Sequence, residues 1–293
     1  MNGPPRRDLL LFANPLSGRG RSLRAAQLAG EFATARGARA ELVTDRAELA
    51  ARLAAADPLP ELWVIGGDGT LASAVHACPA AARPLLALLP TGTGNVVARS
   101  LGIPLSLPRA LAVAWEGVER PFDLGHCNDR LFTFMASAGL DAEIAAEVAR
   151  RRRGPMRRSD WVKAALRAQS YAEERPLRVR ADGVDLGRVA FAALFNCGLY
   201  AGSFRVCPPA RFDDGWLHLL VLREPLRPRW LRVVVAAARG RIDRLPDARL
   251  LAVRRAELRG VTALQLDGDP APAGDVVVSL DARPLRLRAP PPP

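Results

Sequence analysis

Lysine is almost missing from this chain: of its 42 basic residues only Lys163 is not arginine. No Gly-x-x-x-x-Gly-Lys-Ser/Thr occurs, so a P-loop nucleotidase is excluded, and no Gly-x-Gly-x-x-Gly precedes a helix, which argues against a plain dinucleotide fold. Four cysteines, Cys78, Cys127, Cys197 and Cys207, lie far apart, so neither a zinc site nor a disulfide framework is indicated; buried free thiols in a reducing compartment are expected. The three histidines, His76, His126 and His218, form no local metal-ligand or triad spacing. Aromatic residues make up 5% of the chain, too sparse for the stacking platforms of single-stranded nucleic-acid binding. Apolar runs such as Leu9–Phe12, Val189–Phe195 and Val233–Ala238 fall short of the roughly 18 residues that cross a bilayer. Met1–Arg7, with two prolines, does not read as a signal leader. The expectation is a cytoplasmic or peripheral protein.

What is present suits a folded chain. The 293 residues are 49% hydrophobic and 25% charged, enough for one or two cores. A net charge of +12 favours anionic partners such as phosphates or acidic lipid surfaces, although the arginines are spread over the whole length in the manner of a codon bias.

The first ~120 residues alternate strand and helix signals. Leu9–Phe12 leads into a loop over Asn14–Gly20 and a helix over Ser22–Arg36; Glu41–Val43 precedes a helix over Arg46–Ala56. Leu62–Ile65 runs into Gly66–Thr70 and a helix from Leu71, and Pro84–Leu89 runs into Pro90–Asn95 and another helix. This is the layout of a parallel α/β sheet. After Asp123 the chain turns β-rich, with strands expected over Arg130–Ser137, Leu177–Ala181, Arg188–Phe195, Trp216–Leu222, Leu250–Val253, Ala263–Leu266 and Asp275–Leu280. Asp182-Gly183 is a hairpin signal, and helices are expected over Asp141–Arg152, Ser159–Ala172 and Trp230–Arg239. The domains are accordingly set at 1–123, 124–280 and a C-terminal segment, 281–293, with a frayed tail.

Three glycine-rich loops, each after a strand and before a helix, would gather backbone N–H groups and helix N-termini at one sheet edge, the natural receptors of phosphate oxygens. Any one of them alone is also what a tight βα turn requires. Gly66-Gly67-Asp68-Gly69-Thr70 says more, because a carboxylate flanked by glycines can approach a metal or a phosphate-bound water without crowding.

In order along the chain, Asn14–Gly18, Gly66–Thr70, Pro90–Asn95 with Ala98-Arg99, Asp123-Leu124-Gly125, Tyr200-Ala201-Gly202, Pro209–Gly215 and Asp267-Gly268-Asp269 resemble the diacylglycerol kinase catalytic-domain family, the lipid kinases that include bacterial diacylglycerol kinases and, more distantly, sphingosine and ceramide kinases. The resemblance implies an α/β nucleotide domain, a β-sandwich domain, an active site in the cleft between them and a chain end returning to the first domain. It implies ATP contacts at Asn14, Pro15, Leu16, Ser17, Gly18, Thr44, Gly66, Gly67, Asp68, Gly69, Thr70, Leu71, Ala72, Ser73, Gly92, Thr93 and Asn95. It further implies a Mg²⁺ ion held by the Asp214 carboxylate and the backbone carbonyls of Arg211 and Trp216, with Asp68, Asp123 and Asp213 linked through water. Asp269 would take the proton of the acceptor hydroxyl, with Asp267 beside it as an orienting or metal-linked carboxylate, although Asp267–Pro270 also reads as a simple turn. The chain departs from the family at Asp269, usually Glu, at Val96, often Asp, and at His218, often acidic.

The tract Arg150, Arg151, Arg152, Arg153, Arg157 and Arg158 is expected either to be a solvated loop or to face an anionic leaflet, where six arginines are worth at most about 6 kcal/mol. The sequence thus reads as an ATP-dependent lipid kinase with reversible membrane contact, phosphorylating diacylglycerol or a related lipid. A homodimer is left open and nucleic acid is disfavoured. An NAD kinase-like enzyme and a non-catalytic nucleotide- or lipid-sensing module stand as alternatives.

Overall fold

The computed structural model describes residues 7–15, 17–79, 82–151, 163–168, 175–200 and 204–292. They form two units, 1–122 with 284–293, and 123–283.

In the first unit, β1 (Asp8–Ala13), β2 (Arg39–Val43), β3 (Glu61–Gly66) and β4 (Leu85–Pro90) are parallel. The helices α1 (Arg21–Thr34), α2 (Arg46–Ala55), α3 (Asp68–Ala77), α4 (Val96–Ser100) and α5 (Leu107–Glu116) connect or follow them. Continuous apolar runs build the strands: Leu62, Trp63, Val64 and Ile65 are all buried, as expected of a parallel sheet covered on both faces. Helix α1 turns Ala25, Ala26, Ala29 and Ala33 to the sheet, small residues that let it lie close. Trp63 packs against Phe32 and Trp115, with ring centroids 6.5 and 6.4 Å away. The sheet is completed by β5 (Val118–Phe122), in the order β2-β1-β3-β4, then the chain's last strand, then β5.

The second unit comprises β6 (Gly125–Cys127), β7 (Arg130–Phe132), β8 (Met135–Ala138), α6 (Leu140–Arg151), a helical stretch α7 over 163–168, β9 (Leu177–Ala181), β10 (Val184–Val189), β11 (Phe191–Phe195), β12 (Leu199–Tyr200), β13 (Phe204–Arg205), β14 (Leu217–Leu222), α8 (Trp230–Ala238), β15 (Ala248–Val253), β16 (Arg255–Val261), β17 (Leu264–Leu266), β18 (Asp269–Ala271) and β19 (Gly274–Leu280). Two six-stranded sheets, β10-β9-β16-β19-β6-β7 and β15-β14-β11-β8-β17-β18, share one core of Val179, Leu258 and Val278 from the first and Leu194, Leu219 and Leu264 from the second. This is a β-sandwich. Asp182 and Gly183, both at positive φ, join β9 to β10 in the two-residue turn that the sequence announced. Finally β20 (Leu285–Ala289) enters the first unit's sheet, parallel to β4 and antiparallel to β5.

The strand expected over Arg130–Ser137 is broken at Thr133-Phe134, whose N–H groups point to the Asp267 carboxylate instead of to a neighbouring strand. Of the helix expected over Ser159–Ala172, only 163–168 lies among the described residues.

Candidate active site

Because β1 to β4 run parallel, the loops after them gather at one edge of the sheet. Asn14 O accepts from Ser17 N (2.9 Å) and from the buried Ser22 hydroxyl (2.7 Å), closing the first loop into a 3-10 turn over Ser17–Gly20. Thr44 is exposed at the end of β2, and Asp45 after it caps α2 through Glu48 N at 2.9 Å. Leu16 lies outside the described residues.

The other two loops are built against each other. A Cβ on Gly92 would come within 2.6 Å of Gly67 Cα and 2.8 Å of Asn95 Oδ1, and one on Gly66 would overlap the Thr70 side chain at 2.3 Å. These positions need glycine for close approach. Asp68 joins the loops by accepting from Val96 N (3.0 Å) and Val97 N (3.1 Å), the first amides of α4. Burial pushes the Asp68 carboxyl above its usual range against the pull of those amides. Asn95, at φ 49°, donates to Gly92 O at 2.8 Å. Among the described residues Thr91 Oγ and Asn95 Oδ1 are buried without a hydrogen-bond partner; the hydroxyl can donate to an anionic oxygen, whereas the amide oxygen only accepts and suits a hydroxyl or water donor. Thr70 and Leu71 are interior residues of α3, whereas Ala72 and Ser73 are partly exposed and Gly69 and Thr93 exposed.

In the second unit Asp267 and Gly268, at φ 53° and 88°, make the two-residue turn between β17 and β18, and Asp269 opens β18 opposite Leu266. The Asp267 carboxylate accepts from Thr133 N (2.6 Å), Thr133 Oγ (2.9 Å), Phe134 N (2.8 Å) and Met135 N (3.1 Å). Burial raises its pKa to about 6, while the four donors pull the other way. Asp267 thus anchors the turn, and Asp269 stands exposed just beyond it.

Sequence reasoning did not single out Gln265 and Asp141. Gly268 N donates to Gln265 Oε1 (2.7 Å), and Gln265 Nε2 donates to Ser137 Oγ (2.8 Å) and Asp141 Oδ2 (3.1 Å). Asp141 also accepts from Ser137 Oγ at 2.6 Å and from the Tyr200 hydroxyl. Burial and the Asp141 charge hold the Tyr200 phenol well above its ordinary pKa. The available signal was a polar side chain in each of two short buried strands, Ser137 in β8 and Gln265 in β17.

The acidic turn after β13 is tied to Asp123 two ways: Asp123 N donates to Phe212 O (2.6 Å) and its Oδ2 accepts from Gly215 N (2.8 Å); the Asp123 carbonyl in turn accepts from buried Asn196 after β11 (2.6 Å). Burial, with Asp214 and Asp213 nearby, raises the Asp123 pKa. Asp214, the expected direct metal ligand, is taken up by protein donors: Trp216 N on Oδ1 (2.9 Å), and His218 Nε2 (2.9 Å) and Arg211 N (3.3 Å) on Oδ2. Arg211 Nε also donates to Asp213 at 3.2 Å. Among the described residues no three ligating side chains converge.

Of the arginine tract, Arg150 and Arg151 close α6 and pair with buried Glu147. Arg152, Arg153, Arg157 and Arg158 lie outside the described residues. No helix among the described residues is long and apolar enough to cross a membrane.

Residues 8–127 match the diacylglycerol kinase catalytic domain, and residues 135–289 match the YegS C-terminal NAD kinase beta sandwich-like domain. A diacylglycerol kinase of Mycobacterium tuberculosis (strain CDC 1551 / Oshkosh) is 30% identical over 295 residues, 94% of each chain. A Pseudomonas putida protein named "Probable lipid kinase YegS-like" is 31% identical over 227 residues, 76% of this chain and 74% of the relative. The crystal structure of a diacylglycerol kinase from Bacillus anthracis str. Sterne shares the fold, with a TM-score of 0.78 at 18% identity over 99% of both chains. With both family domains present in tandem and relatives at this identity along most of its length, the chain belongs to the diacylglycerol kinase catalytic-domain family of lipid kinases.

Proposed function

We propose that the protein transfers the γ-phosphoryl group of ATP to the hydroxyl of diacylglycerol or a closely related lipid, giving ADP and a lipid phosphate such as phosphatidic acid. The observation that carries this reading is the backbone-to-backbone contact of Gly67 with Gly92 under the Asp68 bridge. It sets two glycine loops side by side at a parallel-sheet edge, where the N-terminus of α3 opens toward anionic phosphates while the first amides of α4 are held by Asp68. Asn14–Gly18 and Thr44, at the same edge, complete the nucleotide contacts in this reading.

Phosphoryl transfer demands positioning and charge neutralisation more than covalent chemistry. Magnesium enters as the cation of MgATP and neutralises phosphate charge when bound; no step is assigned to a metal at the 211–216 turn. The acceptor oxygen bonds to the γ-phosphorus, the bond to the β–γ bridging oxygen breaks, and the hydroxyl proton passes to Asp269. Asp267 orients that residue by fixing the turn before it. Asp269 is one methylene shorter than Glu, so the acceptor oxygen must sit correspondingly closer, or a water must relay the proton. Because such acceptors reside in a bilayer, the enzyme would meet them as a peripheral protein.

The test is transfer of labelled γ-phosphate from MgATP to diacylglycerol, sphingoid base, ceramide and NAD, with Asp269→Asn alongside the wild type. Labelled diacylglycerol is expected, with turnover reduced roughly 10²–10⁴-fold in the variant and ATP affinity unchanged. Label on NAD, or ATP binding with no transfer to any lipid, would overturn the reading.

A further inference from the structure

Helix α8 carries one charged residue in nine, Arg232, and is apolar on its outer as well as its inner side. Val233 is buried against the unit, yet Leu231 is 73% exposed and Val234 37% exposed, with Ala238 on the same outward stripe at helical spacing. A helix apolar on both sides is stable where both sides meet something apolar. The helix ends in a left-handed Gly240, and Arg241 N reaches back to Ala236 O at 2.8 Å. A Cβ on Gly240 would come within 2.9 Å of Arg205 O, so β13 lies directly against this end and adds Phe204, 43% exposed, to the patch.

Charge frames that surface. Arg205, Arg232, Arg239 and Arg241 are exposed and none has a carboxylate partner among the described residues, in contrast to Arg229 at the start of α8, which is paired with Asp247. The acid beside them is Asp243, in the short turn after the helix, so the patch is strongly positive. We propose that α8 and β13 form the face by which this protein docks on an anionic bilayer, Leu231, Val234 and Phe204 entering the interface while the arginines meet lipid phosphates. This deepens the lipid-kinase reading and rests on it for the reason that a bilayer is the partner. Nine residues make a helix about 13 Å long, enough to lie in the interface and far too short to span it. Arginine suits this role because its stem covers apolar surface while its head stays at the phosphate level. An acidic protein groove would match the charge equally well but would not explain an outward row of aliphatic side chains flanked by arginines on a lipid enzyme.

The experiment is co-sedimentation of the full chain with phosphatidylcholine vesicles with and without phosphatidylglycerol. Three forms are compared: wild type, Leu231→Ser/Val234→Ser, and Arg232→Ala/Arg239→Ala. Wild type is expected to bind the anionic vesicles, more weakly as salt rises. Each arginine removed should weaken binding about fivefold, ~1 kcal/mol, and the apolar pair should cost tenfold or more. ATP affinity and turnover on a short-chain acceptor dispersed as monomers should not change in either variant. Unaltered vesicle binding in both variants would overturn the proposal. So would sedimentation analysis showing a wild-type dimer that Leu231→Ser/Val234→Ser dissociates, since a second copy would then cover the face. Vesicle binding needs no turnover, so a protein that docks through this patch but phosphorylates no lipid would count against the kinase reading alone.

Discussion

Asp267 and Asp269, two residues apart, stand in opposite surroundings: the first carboxylate is enclosed by four donors, the second is exposed at the start of β18. Replacing the enclosed one should therefore show in stability before it shows in chemistry. In Asp267→Asn an NH₂ group would confront amides that now donate to oxygen, leaving buried donors unpaired at about 1–3 kcal/mol each. The wild-type carboxyl, raised to about 6 from 3.8, binds its proton more tightly folded than unfolded. Its contribution is thus complete below pH 3.8 and is lost as pH rises through 6, a change on the order of 3 kcal/mol. Denaturant titrations between pH 4 and 7 should show this downward slope in the wild type and lose it in the variant; parallel profiles would assign the titration elsewhere. Glycine gives a sharper contrast. Gly92→Ala meets backbone at 2.6 Å, whereas Gly69→Ala, in the first turn of α3, meets nothing within 4 Å. Gly92→Ala should cost about 1–3 kcal/mol of stability and at least tenfold in ATP affinity, while Gly69→Ala should leave the Tm unchanged or raised. Isothermal titration and thermal melts on the pair would decide it. The glycine loops were legible because a glycine required by close approach stays visible in a linear sequence. The partner of each glycine was not: nothing near Gly67 in the chain announces Gly92, nor does Asp68 announce Val96 and Val97.

At the scale of elements, the turn that carries Asp269 is held from two sides, by Asp267 on the β7–β8 break and by Gln265 on Asp141 and Ser137. The two-residue turn was readable, since Asp-Gly is its strongest signature; its buried supports were not, because one Gln in an apolar strand looks like an ordinary substitution. The helix expected over Trp230–Arg239 is found over Trp230–Ala238, and the strand expected over Leu177–Ala181 is found in place. Helix α5 and strand β5 were missed. The strand's Val-Glu-Arg-Pro-Phe has a proline and two charges, and it holds its conformation through pairing with β20, more than 160 residues later in the chain. If Gln265 positions the turn, Gln265→Met should lower kcat, by up to about 10²-fold, with KM for ATP unchanged. Gly268 N would lose its acceptor and Asp141 a donor, while the nucleotide loops of the first unit stay as they are. A matched rise in KM for ATP would point to general unfolding instead, which circular dichroism at the assay temperature would expose.

For the molecule as a whole, the decisive connection is β20, which follows the entire second unit in the chain and sits inside the first sheet. It lies between β4 and β5, with Leu285, Leu287 and Ala289 essentially inaccessible to solvent. Arg288 reaches Glu61 on β3 at 2.8 Å, a largely buried pair in which Glu61 also accepts from Trp63 Nε1 at 3.0 Å. Removing only the arginine's side of such a pair strands a buried charge, a loss of about 3–5 kcal/mol, and the strand's own burial is lost besides. β5 would have no neighbour left in the sheet. A chain truncated after Arg283 keeps every residue assigned to ATP and every residue of the second unit. It should nevertheless lose ATP binding, because the sheet whose edge presents the glycine loops no longer closes. Limited proteolysis should then cut first within residues 7–122, while the β-sandwich over 123–283, whose core draws on no residue of β20, resists digestion. ATP binding by the truncated chain with the wild-type Kd would show instead that β1 to β4 hold their loops without the returning strand.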